Sequence, residues 1–413
     1  MMSKKVVVIG SGPAGLAASF NAALHGANVT LLEQMPRFGM KLLASGGGKC
    51  NVTNTLELED FARKFGRNWR FLLPALKMFH GRELLEFFEL RGVKLVKKDG
   101  FHYFPESSSS AAILKMWLDE LKNFNVDMLT NCGAKELVIA DGNVCGVRTQ
   151  NKLFHCDAVI IAAGGKSFHA LGGRGKGYML AEQAGHSITK LYPAMTGIKC
   201  SEEWVHECAG ISLDDCTACI ALKSDRKNIQ RGELLFTKNG FSAFAILDIA
   251  GRVAELLDQG KQVPLAIDFS PSITFEKWQS MISDWRRTCG KKNILPLLAD
   301  HFPRRLAENL LGSADTQVCQ MTARATETLL NNIKKSCFNI TGVESWDKAM
   351  VTQGGVALKN IDPHTLESTL VNGLYFAGEV LDVTGPCGGY NITWALASGM
   401  CAGREAADGQ SAY

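Results

Sequence analysis

Glycines at positions 10, 12 and 15, followed by a carboxylate at position 33, are the residues whose types and spacing most directly predict chemistry in this chain. The β-branched run Lys5 to Ile9 enters Gly10-Ser11-Gly12-Pro13-Ala14-Gly15. Leu16 to His25 then carry apolar residues at helical spacing, and a second apolar run, Asn28 to Leu32, ends on Glu33. Strand, glycine turn, helix, strand and acidic residue in that order predict a dinucleotide site. Gly10 makes the tight turn, Gly12 lets a pyrophosphate approach backbone N–H groups, and Gly15 lets helix and strand pack closely. Glu33, about 20 residues beyond the glycines, would accept hydrogen bonds from ribose hydroxyls and repel a 2′-phosphate, pointing to FAD or NAD(H) over NADP(H). Gln34, beside it, joins the expected contact set.

Further segments select FAD. In Lys41-Leu-Leu-Ala-Ser-Gly-Gly-Gly-Lys-Cys-Asn-Val-Thr-Asn54, Gly46 and Gly47 sit among Lys41, Ser45, Asn51 and Asn54. Such a backbone can lie against a flat ring while the side chains supply donors. The buried run Asp157 to Ala163 ends on Gly164-Gly165, so Ala163 and Gly164 let the chain pass close to a cofactor. The richest stretch is Gly373 to Gly399. A strand at Leu374 to Ala377 delivers Gly378-Glu379, a glycine-rich loop runs to Gly389, and a helix starts near Asn391 and Ile392. The positive end of that helix would favour the electron-rich edge of a flavin and the negative charge of its reduced form.

The segments KLLASGGGKCNVTN, GELLFTKNGFSAFAILDIA and AMVTQGGVALKNIDPHTLES through GLYFAGEVLDVTGPCGGYNITWALASG resemble the BaiN/RdsA family of NAD(P)/FAD-dependent oxidoreductases over essentially the whole chain. The resemblance implies an FAD domain split by an insertion. It also implies an activity such as reduction of a carbon–carbon double bond conjugated to a ketone, or oxidation of aminoacetone. By similarity, FAD contacts fall on Ala14, Glu33, Ser45, Gly46, Gly47, Asn51, Ala134, Gly378, Glu379, Asn391 and Ile392. This chain departs from the family where the usual Ser-Gly-Pro reads Ser242-Ala243-Phe244, and where Arg174 and Lys176 replace a more acidic loop.

The elements that must position these residues follow from the pattern. The expected fold is α/β: a Rossmann-type FAD-binding domain of the two-dinucleotide-binding flavoprotein type, split by an inserted β-barrel plus helical subdomain. Its parts are 1–190 and 347–413, with the insert at 191–346. The insert is β-rich over 191–272 and 336–346, a barrel or a sandwich by its short alternating runs, and helical over 273–335. Helices are expected over Asn68 to Met78, Gly81 to Arg91 and Ser108 to Lys122, the last with N-cap material at Ser107 to Ser110. Phe101 to Glu106 reads as a packed strand.

Composition bounds the partners. Lys and Arg number 45 against 41 Asp and Glu, for a net charge of +4. That excess argues against nucleic acid or membrane as a main partner. No apolar run is long enough to span a bilayer, so a soluble protein is expected. The 13 cysteines are odd in number and scattered. Cys216 and Cys219 lie on an alternating strand and face opposite sides, which makes a poor metal site, and no metal is expected. The absence of a disulfide framework predicts a reducing cytoplasm.

No second glycine fingerprint is present, so NAD(P)H is expected to dock transiently at the flavin, which reduces or oxidises a small organic substrate of enone or amine type; the alternatives are a tRNA-modifying flavoprotein and a non-enzymatic flavin redox sensor. Arg174 and Lys176 are candidate phosphate contacts. No protein nucleophile is required, since the flavin carries the redox chemistry. His102, Tyr103, His169, Tyr178, Tyr390 and Cys387 are the titratable or polar residues in cofactor-facing segments, none of them singled out as the proton donor.

Overall fold

The computed structural model describes residues 3–312 and 314–408. The β-branched run at the N-terminus, Lys5–Ile9, is buried on both faces after its first residue. A strand without a polar face has to be covered on both sides, and it lies near the middle of a five-stranded sheet. The order across that sheet is Leu374–Phe376, Ala158–Ile161, Lys5–Ile9, Asn28–Leu32 and Asp127–Leu129, with every pairing parallel. Neighbours in this sheet thus come from both ends of the chain.

A helix, Pro13–Leu24, follows the first strand, with Pro13 in its first turn and Ala14 through Ala22 buried without exception. A helix apolar all round needs a second covering layer. The long helix Tyr390–Asp408 supplies it. Gly399 and Gly403 make the approach possible: a Cβ at either would stand 2.2 Å from Ala14 O or 2.3 Å from Ala18 O. Asn21 Nδ2 donates to Met400 O across the same seam at 2.6 Å.

The chain divides into two compact units, Met1–Tyr192 with Met350–Tyr413, and Pro193–Ala349. Within the first, a small antiparallel sheet joins Thr53–Asn54, His102–Pro105 and Leu95–Lys97, and another joins Glu136–Ala140, Asn143–Arg148 and Leu153–His155. Helices run over Trp69–Met78, Gly81–Glu89 and Ser110–Asn123. The serines before the last helix act differently from expectation. Ser109 occupies the N-cap position without a side-chain cap bond, and Ser110 Oγ instead donates to Leu43 O at 2.8 Å.

In the second unit six strands close a barrel, in the order Ile198–Cys200, Gly240–Ser242, Gln230–Thr237, Ser212–Ile220, Val263–Asp268 and Ser336–Val343. A barrel therefore forms, not a sandwich. Cys216 is buried on its strand while Cys219, three positions on, is half-exposed. The interior is filled by residues such as Ile198, Phe236, Phe241, Leu265 and Phe338, with the rings of Phe241 and Phe338 centred 4.7 Å apart. Helices Phe275–Cys289, Ile294–Ala299, Arg304–Leu311 and Ala323–Lys334 lie in sequence between the last two barrel strands. Thr274 and Thr322 cap the first and last of them through their side chains. Ala243, at the departure from the family pattern, has φ +73° and ψ −176°, a conformation that glycine adopts without strain and alanine does not.

Candidate active site

The C-terminal ends of the parallel strands lead into the predicted glycines, and the glycines divide by what surrounds them. At Gly10, φ is +102° and a Cβ would meet Ala162 O at 2.6 Å and Ala163 Cα at 2.9 Å. At Gly15 a Cβ would stand 1.7 Å from Gly10 O. Both are therefore glycine because backbone passes against backbone. Gly12 differs: nothing lies within 4 Å of where its Cβ would be. The start of helix Pro13–Leu24, whose first N–H groups have no intrahelical acceptor, opens onto that space. This is the arrangement an anionic bridge between two nucleotide halves requires.

Glu33 ends the second strand and is nearly buried. Its Oε2 accepts from Ser11 N (3.0 Å) and Ser11 Oγ (2.5 Å), and its Oε1 from Met35 N (2.7 Å). A carboxylate accepts about four hydrogen bonds, so this anchored group keeps capacity for a ligand hydroxyl. Cys132 N donates to Glu33 O at 2.8 Å, which brings the loop carrying Ala134 to the same sheet end. Gln34 lies there too, but its Nε2 donates to Gly172 O at 2.7 Å and ties down the 172 loop.

Lys41 and Glu379, predicted separately as cofactor contacts, find each other. Lys41 Nζ is 2.6 Å from Glu379 Oε2 and donates to Ser167 Oγ at 2.8 Å. Glu379 Oε1 in turn accepts from Thr352 N at 2.9 Å and Ser167 Oγ at 3.2 Å. Gly165 admits this cluster, since a Cβ there would meet Thr352 Oγ1 at 2.3 Å and Glu379 Oε1 at 2.6 Å. Gly164 lies alongside with φ +67°. Gly378, at φ +77°, packs on Ala14, where a Cβ would approach Ala14 Cβ to 2.8 Å, and its N–H donates to Ser398 Oγ. Ser11, Ser167 and Thr352 join the site beyond the residues that motif and spacing select. Ser11 sits inside the glycine motif, while no local pattern marks Ser167 or Thr352, which become neighbours of Glu379 only by folding.

The segment 41–54 closes on the loop before the last helix. Ser45–Gly48 is a short 3-10 turn in which Gly46 and Gly47 take left-handed conformations, φ 55° and 64°. Nothing lies within 4 Å of a Cβ on Gly47. Asn54 Nδ2 donates to Gly388 O at 2.9 Å, Thr393 Oγ1 to Val52 O at 2.9 Å, and Gly389 packs against the backbone of Thr53. Asn391 uses its side chain to hold the loop, accepting from Gly385 N and donating to Gly385 O, both at 2.9 Å. That leaves its backbone and that of Ile392, at the helix start, as the groups available to a ligand. Two polar atoms beside this loop, Asn51 Oδ1 and Thr53 Oγ1, are buried with no hydrogen-bond partner among the described residues. Buried polar atoms in that state cost about 1–3 kcal/mol each, so a bound partner would relieve both.

The remaining candidates separate clearly. Tyr390 is buried and stacked on Phe61, ring centroids 4.8 Å apart, so it packs the core. Burial, with Glu379 adding to it, pushes the phenol of Tyr178 far up, which makes it a poor acid. Arg174 and Lys176 are exposed, and Arg174 Nε donates to His169 O at 3.5 Å. Tyr103 pairs across the small sheet with Thr53, and Cys387 lies half-buried in the loop beside Gly388. His102 approaches that loop with an acidic partner behind it.

A protein-family model described as the HI0933-like protein Rossmann domain matches residues 4–405. The chain belongs to the HI0933-like family. Among curated relatives, it is 32% identical to the 3-dehydro-bile acid delta(4,6)-reductase of Clostridium scindens, over 98% of this chain and 99% of that one. It is 29% identical to the ribosomal RNA dihydrouridine synthase of Escherichia coli, over 97% of each. Among solved structures, a flavocytochrome c3 fumarate reductase shares the fold with a TM-score of 0.53 at 19% identity, covering 98% of this chain and 78% of that one. The fold is thus a Rossmann-type FAD-binding domain carrying a closed barrel, and the chain is an FAD-dependent oxidoreductase of this family. The expectation against nucleic acid, drawn from net charge alone, loses its footing with a relative named as an RNA-modifying synthase. Among the described residues no helix is long and apolar enough to cross a membrane.

Proposed function

We propose that this chain reduces a carbon–carbon double bond conjugated to a carbonyl in a small organic substrate, with NAD(P)H docking transiently as the source of hydride. The carrying observation is chemical. A delta(4,6)-reductase of a 3-dehydro bile acid and a synthase of dihydrouridine act on different molecules, yet both names describe saturation of an alkene conjugated to a carbonyl. This chain resembles both over nearly its full length.

FAD fits the residues. Gly10, Gly12, Ala14 and Gly15 would hold its pyrophosphate at the open helix start, and Glu33 with Gln34 its ribose end. Ala134 would back the adenine, and Ala163 with Gly164 would let it pass the sheet. Ser45, Gly46, Gly47 and Asn51 would meet the ring from one side, and Gly378, Gly389, Asn391 and Ile392 from the other. The open space at Gly12 and Gly47 and the partnerless Asn51 Oδ1 support this placement. Lys41 and Glu379 would act as a paired strut beneath it. Bound there, the cofactor supplies two-electron hydride chemistry. The protein binds and orients it, stabilises reduced-state charge with the last helix, and provides the proton.

A second reading, an RNA uracil as the substrate, is favoured by the name of the Escherichia coli relative. Exposed Lys291 and Lys292 are compatible with it. One anaerobic experiment separates these. The FAD-loaded protein is mixed with NADH or NADPH, then with a 4-ene-3-keto steroid, 2-cyclohexenone, or a uridine-containing ribosomal RNA fragment. Bleaching by a nicotinamide and recovery of colour with an enone support the first reading. Recovery with RNA alone, weakened by salt, selects the second. No bleaching by either nicotinamide, or recovery only with oxygen, overturns the proposal.

A further inference from the structure

The reduction proposed above adds one hydride and one proton across the double bond, and the proton needs a donor. The small sheet supplies a pair of groups for it. Asp99 and His102 bracket a tight turn in which Asp99 Oδ1 accepts from Phe101 N at 3.0 Å and His102 N at 2.7 Å. The other oxygen, Oδ2, lies 2.5 Å from His102 Nδ1. Three contacts from one turn leave the carboxylate little freedom to turn away. They also hold its pKa well below the usual carboxylate range, the side-chain bond to His102 being the largest cause.

The opposite ring nitrogen faces the cofactor loop. A Cβ on Gly388 would stand 3.0 Å from His102 Nε2, so glycine at this position, with φ +119°, lets that nitrogen come close to the loop. His102 pairs across the sheet with Asn54, whose Nδ2 holds Gly388 O. Imidazole and loop are therefore fixed relative to each other through one residue. The His102 side chain is a quarter exposed and Asp99 about half, so water can return a proton after each turnover. Other ionisable side chains nearby are Lys98, engaged with Ser108 Oγ and set over the Phe104 ring, and Cys387 in the loop itself.

We propose that Asp99 and His102 form the proton-delivery dyad of this site, with His102 Nε2 as the general acid. The assignment rests on the alkene-reduction reading. The Nε2–H bond breaks, with its electron pair staying on nitrogen. A new C–H bond forms at the carbon next to the carbonyl, and the hydride at the far carbon comes from the nicotinamide by way of the bound cofactor. Asp99 keeps Nδ1–H in place before and after, so the mobile proton is the one on Nε2. Asp99 is a positioning residue and His102 the group that reaches the substrate.

The test separates the two half-reactions of the FAD-loaded protein. His102→Ala should slow reoxidation by 2-cyclohexenone about 100-fold or more. Reduction by the nicotinamide should stay within about threefold, because no protein proton enters that step. Asp99→Asn should give a smaller loss confined to the same half-reaction, and Asp99→Glu, which keeps the carboxylate, should recover part of it. Independently of turnover, the His102 ring resonance, assigned by its loss in His102→Gln, should move when FAD is added to flavin-free protein. Equal reoxidation rates in His102→Ala and the parent, or a His102 resonance indifferent to FAD, overturn the dyad while leaving the reductase reading intact. A parent protein that no enone reoxidises removes the reading and the dyad with it. If His102→Ala does not fold, His102→Gln takes its place in the rate comparison, where a slowed reoxidation supports the dyad and an unchanged one overturns it.

Discussion

The turn at Gly10 to Gly15 and the turn at Ser45 to Gly48 are both glycine-rich, and their glycines meet different surroundings. In the first, Gly10 and Gly15 are pressed against backbone, and only Gly12 faces open space. In the second, Gly46 and Gly47 are left-handed, nothing lies within 4 Å of where a Gly47 Cβ would be, and the nearby Asn51 and Thr53 leave polar atoms unanswered. In the first turn two glycines are set by the fold and Gly12 is not. In the other, open space and unanswered polar atoms lie side by side. Glycine content alone does not distinguish a residue kept small by its neighbours from one kept small for a ligand; the surroundings of the missing side chain do.

Substitutions can break this contrast directly. Gly15→Ala should have the largest effect, because its Cβ would overlap Gly10 O at 1.7 Å and neither backbone can retreat. Loss of about 3 kcal/mol or more is expected in urea unfolding of the flavin-free protein. Gly12→Val inverts the pattern. With extended backbone and empty space at the Cβ, flavin-free stability should change by no more than about 0.5 kcal/mol. FAD affinity, read by fluorescence titration, should fall about 100-fold, which is about 2.7 kcal/mol. A Gly12→Val protein that binds FAD like the parent would remove the pyrophosphate from this turn.

Smaller effects sharpen the same distinction. Ala243 occupies a glycine conformation at the position where the family resemblance implies glycine, so Ala243→Gly should stabilise the protein by about 1 kcal/mol in thermal unfolding. Such a gain would mark Ala243 as strain inherited from a local sequence change. Asn51→Leu should raise flavin-free stability by roughly 1 kcal/mol, by removing a buried oxygen without a partner, while weakening FAD binding about tenfold. Opposite signs in the two measurements are the signature of a residue retained for a ligand. Equal signs would make Asn51 an ordinary structural residue.

Much of the fold is legible in the sequence because its signals are local. Lys5–Ile9 reads as a buried strand from its own β-branched residues, the helix after it from Pro13 and apolar spacing, and Glu33 from its distance along the chain. The barrel strands announce themselves by alternation, as in Ser212–Ile220. Barrel and sandwich share that period, however, and only the pairing of Ile198–Cys200 with both Gly240–Ser242 and Ser336–Val343 closes the ring. The helix cap at Ser109 escapes local reading for a related reason. Four consecutive serines satisfy any local capping rule, and tertiary contact with Leu43 decides which hydroxyl is used and for what.

The site shows where local reading stops. Lys41 and Glu379 each carry a plausible ligand role alone, but 338 positions of chain separate two groups that end 2.6 Å apart. Ser167 and Thr352 have no signal at all until they surround Glu379. Asp99 sits in an ordinary Asp-Gly turn, and its importance lies in what His102 faces on its other side. By itself, then, the sequence determined the order of strands and helices, the family and the class of cofactor, since each is encoded in short-range pattern and motif. Tertiary structure alone decided which glycines are pressed against backbone and which face open space, which charges neutralise each other, and which imidazole nitrogen reaches the loop. Those outcomes depend on distances between segments far apart in the chain, which no periodicity records.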